Sequence, residues 1–154
     1  AMKLDDKDRQ IIRAVQRDGR ITNLALAEEV NLSPTPCLRR LRQLEESGVI
    51  KGYSANVDPK RFGLSLLAFI SVSLKEHSKE SLQLFESRVL ANEKIMSCHL
   101  MTGSRDYLLQ VLVKDLDSYD EFVREELHEI GGIASMDTSI AFSVVKQTAV
   151  FPSL

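Results

Sequence analysis

The chain of 154 residues holds only two cysteines and three histidines, and their placement excludes several classes of function. Cys37 and Cys98 lie far apart, and no CxxC pair exists. His77, His99 and His128 fall at no metal-ligand spacing with them, so neither a metal nor a cofactor is expected. Both thiols are expected to be reduced and buried, which fits a cytoplasmic location. Long apolar runs are missing too. The longest, Leu64 to Leu74, is interrupted by three serines, so no membrane partner is expected. No signal peptide is visible, because charge begins at Lys3, and Ala1-Met2 reads as an expression scar ahead of the natural start. Catalytic constellations are equally scarce. The three histidines stand in unrelated contexts, and Ser104 has no nucleophile-elbow setting. Asp106-Tyr107 could be read as an acid–base pair, but a tyrosine at a strand start belongs more often to core or rim. The expectation is that the chain is not an enzyme.

A strong charge of one sign is also absent. The net charge is −2. Residues 1–52 carry ten Lys/Arg against eight Asp/Glu, and residues 53–154 carry ten against fourteen. A mildly positive first part on an acidic body keeps non-specific affinity for any polyanion modest, so tight binding to one would need several copies acting together.

What is present begins with Leu32-Ser33-Pro34-Thr35-Pro36-Cys37-Leu38-Arg39-Arg40-Leu41-Arg42-Gln43-Leu44-Glu45. Ser33 stands at a natural N-cap, where its hydroxyl can accept from an orphan N–H. Pro34 follows at the first helical position, and Pro36 still falls in the first turn, where a missing donor breaks no intrahelical bond. Cys37, Leu38, Leu41, Leu44 and Val49 lie on or near one face. Thr35, Pro36, Arg39, Arg42 and Gln43 take the opposite face, small and polar at its start and basic further on. Gly48 supplies the left-handed exit. Before it, Thr22 caps a helix with Leu26, Ala27 and Val30 on one side. Asn31 suits a tight left-handed turn, and Leu32 plugs the corner. A basic helical face is often merely solvated, but two short helices, a tight turn and a buried corner residue make a helix-turn-helix, which presents its second helix to a major groove. A further helix precedes the pair, capped by Asp5 with Asp8 three residues on, and with Ile11, Ile12 and Val15 buried.

Gly48 to Pro59 reads as a strand running into a linker, with Asp58-Pro59 as a turn. The domain boundaries are set at 1–52, a hinge of 53–62, and 63–154. In the last of these, Leu66, Ala68, Ile70, Val72 and Leu74 share one strand face, with Leu67 and Phe69 on the other. A helix with Leu82, Phe85 and Val89 follows, capped by Ser78 or Ser81. Ile95 to Thr102 and Tyr107 to Val113 form a hairpin around Gly103-Ser104-Arg105-Asp106. A second helix, capped by Asp117, buries Phe122, Val123, Leu127 and Ile130 and stops at Gly131-Gly132. Ile133 to Val145 is the last strand. The order β-α-β-β-α-β is the ferredoxin-like arrangement, with both helices on one sheet face. The uncovered face predicts at least a homodimer.

These residues together resemble the Lrp/AsnC family of transcription regulators. The match runs over Leu4-Asp5 with Asp8, Asp18-Gly19-Arg20-Ile21-Thr22, Leu32 to Cys37 with Arg40, Gly48-Val49-Ile50 with Gly52-Tyr53, Cys98, Thr102-Gly103 and Asp106-Tyr107-Leu108. One departure is Asn31, where the family commonly has glycine, and asparagine can adopt the same turn. The resemblance implies an α+β fold: an N-terminal winged helix-turn-helix domain plus a C-terminal ferredoxin-like βαββαβ domain. It implies dimers that assemble into octamers or larger, and an amino-acid effector bound between dimers that alters assembly or DNA affinity. The effector loop would comprise Gly103, Ser104, Arg105, Asp106 and Tyr107, with Thr138, Ser139 and Ile140 approaching from a neighbour. Asp106 could hold an α-ammonium group, and N–H groups at the Gly103 turn could hold a carboxylate. A plain hairpin turn would use the same residues.

The function expected is therefore sequence-specific binding of double-stranded DNA under control of a small amino acid. Ser33, Thr35, Pro36, Arg39, Arg40, Arg42 and Gln43 form the DNA-binding set. Within it, Thr35, Pro36 and Arg39 approach base edges, while Arg42 and Gln43 sit on phosphates. Arg40 lies nearer the buried side and either touches DNA or pairs with Glu45 or Glu46. A sensing assembly that only wraps DNA architecturally would use the same residues and differ in footprint length.

Overall fold

The computed structural model describes residues 2–154, so Ala1, half of the dipeptide read as a scar, lies outside the described residues. The chain forms two compact units. One contains the residues up to Asn56 together with Val145–Leu154, and the other is Val57–Val144.

In the first unit, three helices enclose a small core. Helix α1 (Asp6–Arg17) begins at Asp5, whose carboxylate accepts from the Asp8 amide while Asp8 accepts from the Asp5 amide, a full capping box. Helix α2 (Asn23–Glu29) is capped by the Thr22 hydroxyl. Asn31 then adopts φ 56°, and the Leu32 amide donates to the Ala27 carbonyl at 2.9 Å, so the corner is closed by backbone bonds. Helix α3 (Pro34–Glu46) exits through Gly48 at φ 82°, a conformation that costs glycine nothing. Ile11, Ala14, Leu26, Ala27, Val30, Cys37 and Leu44 form the core, with Ile12, Leu32 and Leu41 packed at its margin.

Several expectations need correction here. Ser33 occupies the N-cap, but its hydroxyl makes no capping bond. Pro36 stands three residues on, where the usual donor would be, and has no N–H to give. Val49 is 40% exposed and lies outside the core, and Leu38 is only half-buried. Gly48 to Pro59 is not a strand: no strand among the described residues pairs with it, and a strand needs a neighbour for its backbone groups. Instead a short helix, α4 (Pro59–Phe62), is capped by Asp58. The last ten residues pack back on the helices: Gln16 pairs with the backbone at Ala149 and Phe151, and Arg13 Nε donates to the Phe151 carbonyl.

The second unit follows the expected order: β1 (Leu66–Leu74), α5 (Lys79–Leu90), β2 (Ile95–Leu100), β3 (Tyr107–Val113), a second helical segment and β4 (Ile133–Ile140). The sheet order is β2-β3-β1-β4, and every pairing is antiparallel. Ala68, Ile70, Val72 and Leu74 alternate inward on β1, as do Tyr107, Leu109, Val111 and Val113 on β3. They pack under Phe85 and Val89 of α5 and Phe122, Leu127 and Ile130. The second helical segment is capped by Asp115, not Asp117: the Asp115 carboxylate accepts from Ser118, three residues on, leaving Asp117 inside the first turn. It runs as α6 (Leu116–Glu121), a π-helical stretch (Phe122–Leu127) and α7 (His128–Ile130). The wider turn brings residues five apart onto one face, so Phe122 and Leu127 both point inward while Val123 is only half-buried. Strand β4 stops at Ile140 rather than Val145, because its partner β1 begins at Leu66 and the last bond, Ala141 N–H to the Leu67 carbonyl, uses up that edge.

The helix-turn-helix corner yields a direct test. Asn31→Val places a β-branched residue at positive φ and is expected to cost about 1–2 kcal/mol, whereas Asn31→Gly is expected to be neutral or stabilising. Thermal unfolding of both variants checks this; equal stability would remove the assigned role of the turn.

Candidate functional site

The exposed side of α3 follows from the side that is buried. Cys37 and Leu44, seven residues apart, are fully inaccessible, so positions near the opposite azimuth face outward. Thr35, Arg39, Arg42 and Gln43 are exposed, Ser33 is exposed with a free hydroxyl, and Pro36 is half-buried. Arg39 and Arg42 enter none of the side-chain hydrogen bonds or ion pairs within the described residues, so both guanidinium groups are available.

Arg40 stands apart from this face. Its Nη1 lies 2.8 and 2.7 Å from the two Asp5 oxygens and 3.1 Å from Asp8 Oδ1. It is therefore paired, as one of the two readings held, but with the acids at the start of α1 rather than with Glu45 or Glu46. Glu45 instead accepts from the Tyr53 hydroxyl at 2.8 Å. The Arg40 guanidinium, followed by the Asp8 amide, holds the Asp5 carboxyl at about 2, well below its ordinary 3.8. A contact the residue pattern did not reveal joins the two DNA-motif helices at their starts: Asn23 Nδ2 donates to the Pro34 carbonyl at 2.9 Å.

In the second unit, the loop between β2 and β3 is anchored on both sides. Gly103 takes φ 107°, which only glycine adopts without strain. The Asp106 amide donates to the Val72 carbonyl at 2.9 Å, and Asp106 Oδ2 accepts from the Leu74 amide at 2.7 Å and contacts His77 Nε2 at 2.9 Å. The Leu74 amide, then His77, pull the Asp106 carboxyl below its ordinary range. Arg105 Nη1 donates to Ser135 Oγ at 2.7 Å, and Nη2 pairs with Asp137. Ser104 is exposed. Tyr107, in contrast, is buried at 1% exposure, with its ring 4.7 Å from Phe85 and its hydroxyl donating to Glu86 at 2.5 Å. Burial, then Glu86, push that phenol upward. An accessible acid–base pair with Asp106 is therefore not formed.

Within one chain the loop meets β4 at Ser135 and Asp137. Thr138, Ser139 and Ile140 pair further along, with Ile70, Phe69 and Ala68. They also divide between the two sheet faces: Thr138 shares the helix side, where its hydroxyl meets Tyr119 at 2.6 Å, and Ser139 takes the outer side.

Both halves match known families. Residues 4–51 match the winged helix-turn-helix DNA-binding family, and residues 67–151 match the Lrp/AsnC ligand binding domain. The chain belongs to the Lrp/AsnC family. It is 40% identical over 145 residues to the leucine-responsive regulatory protein of Klebsiella pneumoniae, covering 94% of this chain and 88% of that one. Among solved structures, a transcriptional regulator of Neisseria meningitidis, determined as an L-Met complex, superposes with a TM-score of 0.91 at 37% identity, covering 97% of both chains. An AsnC family regulator from Agrobacterium tumefaciens gives 0.92 at 34% identity, again over 97% of each. The chain is thus a DNA-binding transcription regulator with a ligand-binding domain, not an enzyme. No helix among the described residues is long and apolar enough to cross a membrane.

The depressed Asp5 carboxyl sets a pH dependence. Its folded value lies below the ordinary one, so its stabilisation is complete above about pH 4 and is lost as pH falls towards about 2. Unfolding midpoints measured from pH 5 to pH 2 are expected to fall less steeply in Asp5→Ser than in the wild type; identical slopes would refute the pairing.

Proposed function

We propose that this Lrp/AsnC regulator reads double-stranded DNA with the exposed face of α3, as a homodimer that assembles further to an octamer or larger. The observation that carries the reading is the separation of arginines on one helix: Arg39 and Arg42 are free and outward, while Arg40 is tied down. Thr35, Pro36 and Arg39 approach base edges, and Arg42, Gln43 and the free Ser33 hydroxyl meet backbone phosphates. Dimerisation is supported by the outer sheet face, where Leu67, Phe69, Leu108 and Leu112 are only half-covered and the buried Ser97 hydroxyl has no partner.

The ligand is an α-amino acid, held at Gly103 to Asp106 with Thr138, Ser139 and Ile140 supplied by a neighbouring copy. Asp106 uses Oδ2 for both of its contacts, which leaves Oδ1 for an ammonium group, and the Gly103 backbone offers N–H groups to a carboxylate. Tyr107 contributes as the buried support of the loop. One relative is named for its response to leucine and another is an L-Met complex, which puts leucine and methionine first for testing.

Arg39→Ala is expected to cost about 1–3 kcal/mol in DNA binding and to relax base preference at one position. Mobility shift on duplexes selected from a randomised pool measures it, and an unchanged footprint would sink the assignment. For the effector, a thermal-shift series over the twenty amino acids is expected to raise the unfolding midpoint for leucine or methionine. Loss of that shift in Asp106→Asn supports the loop as the site, and a flat series speaks against amino-acid control.

A further inference from the structure

The start of α1 is an unusual capping box. The common form pairs a neutral Ser or Thr with a Glu or Gln, so at most one charge is involved. Here both members are carboxylates, Asp5 and Asp8, each accepting the other's amide at 2.9 and 3.1 Å. Two like charges held this close destabilise each other, and Asp8 is only 5% exposed, the one buried charged side chain among the described residues. Such a box needs a cation, and the cation is Arg40, from the middle of α3, whose Nη1 contacts both acids. The counter-charge could have come from α1 itself. Lys7 is adjacent, but its ammonium is spent on the Val30 carbonyl at 2.5 Å, and Arg9 contacts only Asp6, at 3.9 Å.

We propose that Arg40 is a positioning residue: clasped by the doubly acidic cap of α1, it fixes the rotation of α3 about its own axis so that Thr35, Arg39 and Gln43 meet the groove together. The proposal rests on the reading of α3 as the DNA-facing helix. The geometry suits the task. Arg40 follows Arg39 directly, about 100° away around the helix, so a tether at one sets the direction of the other. Cys37 and Leu44 anchor the buried side along one line, and Leu41 packs on one flank of it. The clasp grips the opposite flank, which has no such apolar contact among the described residues to resist rolling in that direction.

The test uses the wild-type full chain to select a duplex from a randomised pool, with a scrambled duplex of the same length as the non-specific probe. Fluorescence anisotropy is followed across salt concentrations. Asp5→Ser keeps a good N-cap and removes an acid, so the fold is retained and bulk electrostatics alone would tighten both probes. The clasp predicts the opposite for the selected duplex: its Kd rises about tenfold, as for the loss of one base contact, while the scrambled duplex binds as well or better. Arg40→Gln is expected to lose the same specific affinity with the salt slope unchanged, and the double variant to be no worse than either single one. A fall in slope of about 0.9 in Arg40→Gln would instead make Arg40 a phosphate contact and overturn the proposal. An unchanged ratio between the two probes in Asp5→Ser would overturn it as well. If Arg39→Ala also leaves that ratio unchanged, the reading of α3 itself fails; if Arg39→Ala lowers the ratio while Asp5→Ser does not, only the clasp fails. Circular dichroism on each variant confirms that the helices persist.

Discussion

On the proposed reading α3 offers one whole side to DNA, so it can be held only from the other, and this constraint organises the N-terminal unit. On α3 the residues left for holding are Cys37 and Leu44 in the core, Leu41 at its margin, and Arg40 at the flank. Each of the other two helices then carries a device aimed at keeping α3 in place. Helix α2 ends in the Asn31 turn, closed by the Leu32–Ala27 backbone bond, and its first residue reaches the Pro34 carbonyl. Helix α1 supplies the two acids for Arg40 and sends Lys7 to the last carbonyl of the turn's approach, at Val30. So small a core buries little apolar surface, and polar contacts that would be marginal in a larger domain carry more of the positioning here.

The same economy explains the start of α3. Two prolines in the first turn remove donors that no helix of this kind could satisfy internally. They also remove the donor that Ser33 would cap. The consequence is a helix start with few unmet N–H groups, small side chains and a free hydroxyl, which allows close approach to a groove without a desolvation penalty for unpaired backbone.

The difference between what was legible in the residues and what was not follows the range of the interactions. Alternation on β1, the caps at Asp5 and Thr22, and the asparagine turn are local, and each was readable because a few neighbouring residues determine it. Between Ser78 and Ser81 the residues left the cap open, and it is Ser78, accepting from the Ser81 amide. The ends of pairing were not. Where β4 stops depends on where β1 begins, some seventy residues earlier, and Gly48 to Pro59 has strand-like composition but no partner in its own chain. Asp117 was expected to cap the second helix, but the helix starts two residues earlier, where Asp115 accepts from the Ser118 amide. The π-helical stretch was hidden because Phe122 and Leu127 look one residue out of phase for an α-helix, with Glu126 at the expected place. Arg40 could be suspected of pairing from its azimuth. Its true partners lie 32 and 35 residues away, beyond anything spacing can show. For Thr138, Ser139 and Ile140 at the end of β4 the case is different again: their proposed role belongs to contacts between copies, and no single chain displays it.

The loop between β2 and β3 shows why Asp106 and Tyr107, adjacent in sequence, do separate work. Successive residues entering a strand face opposite ways. Tyr107 turns into the core against Phe85 and anchors its hydroxyl on Glu86, which fixes the first residue of β3. Asp106 is thereby left at the mouth of the loop, where it ties the loop to the end of β1 through Leu74 and to His77 beyond it. Arg105, on the outer side, ties the same loop to Ser135 and Asp137 of β4. Three consecutive residues thus fasten one loop to the helix-side core, the central strand and an edge strand. On the proposed reading, an ammonium group arriving at Asp106 enters a carboxylate already sharing its charge with Leu74 and His77. Its binding must therefore compete with, or reinforce, the bonds at the end of β1, and a ligand that favours one arrangement of them over another shifts the populations by that difference alone.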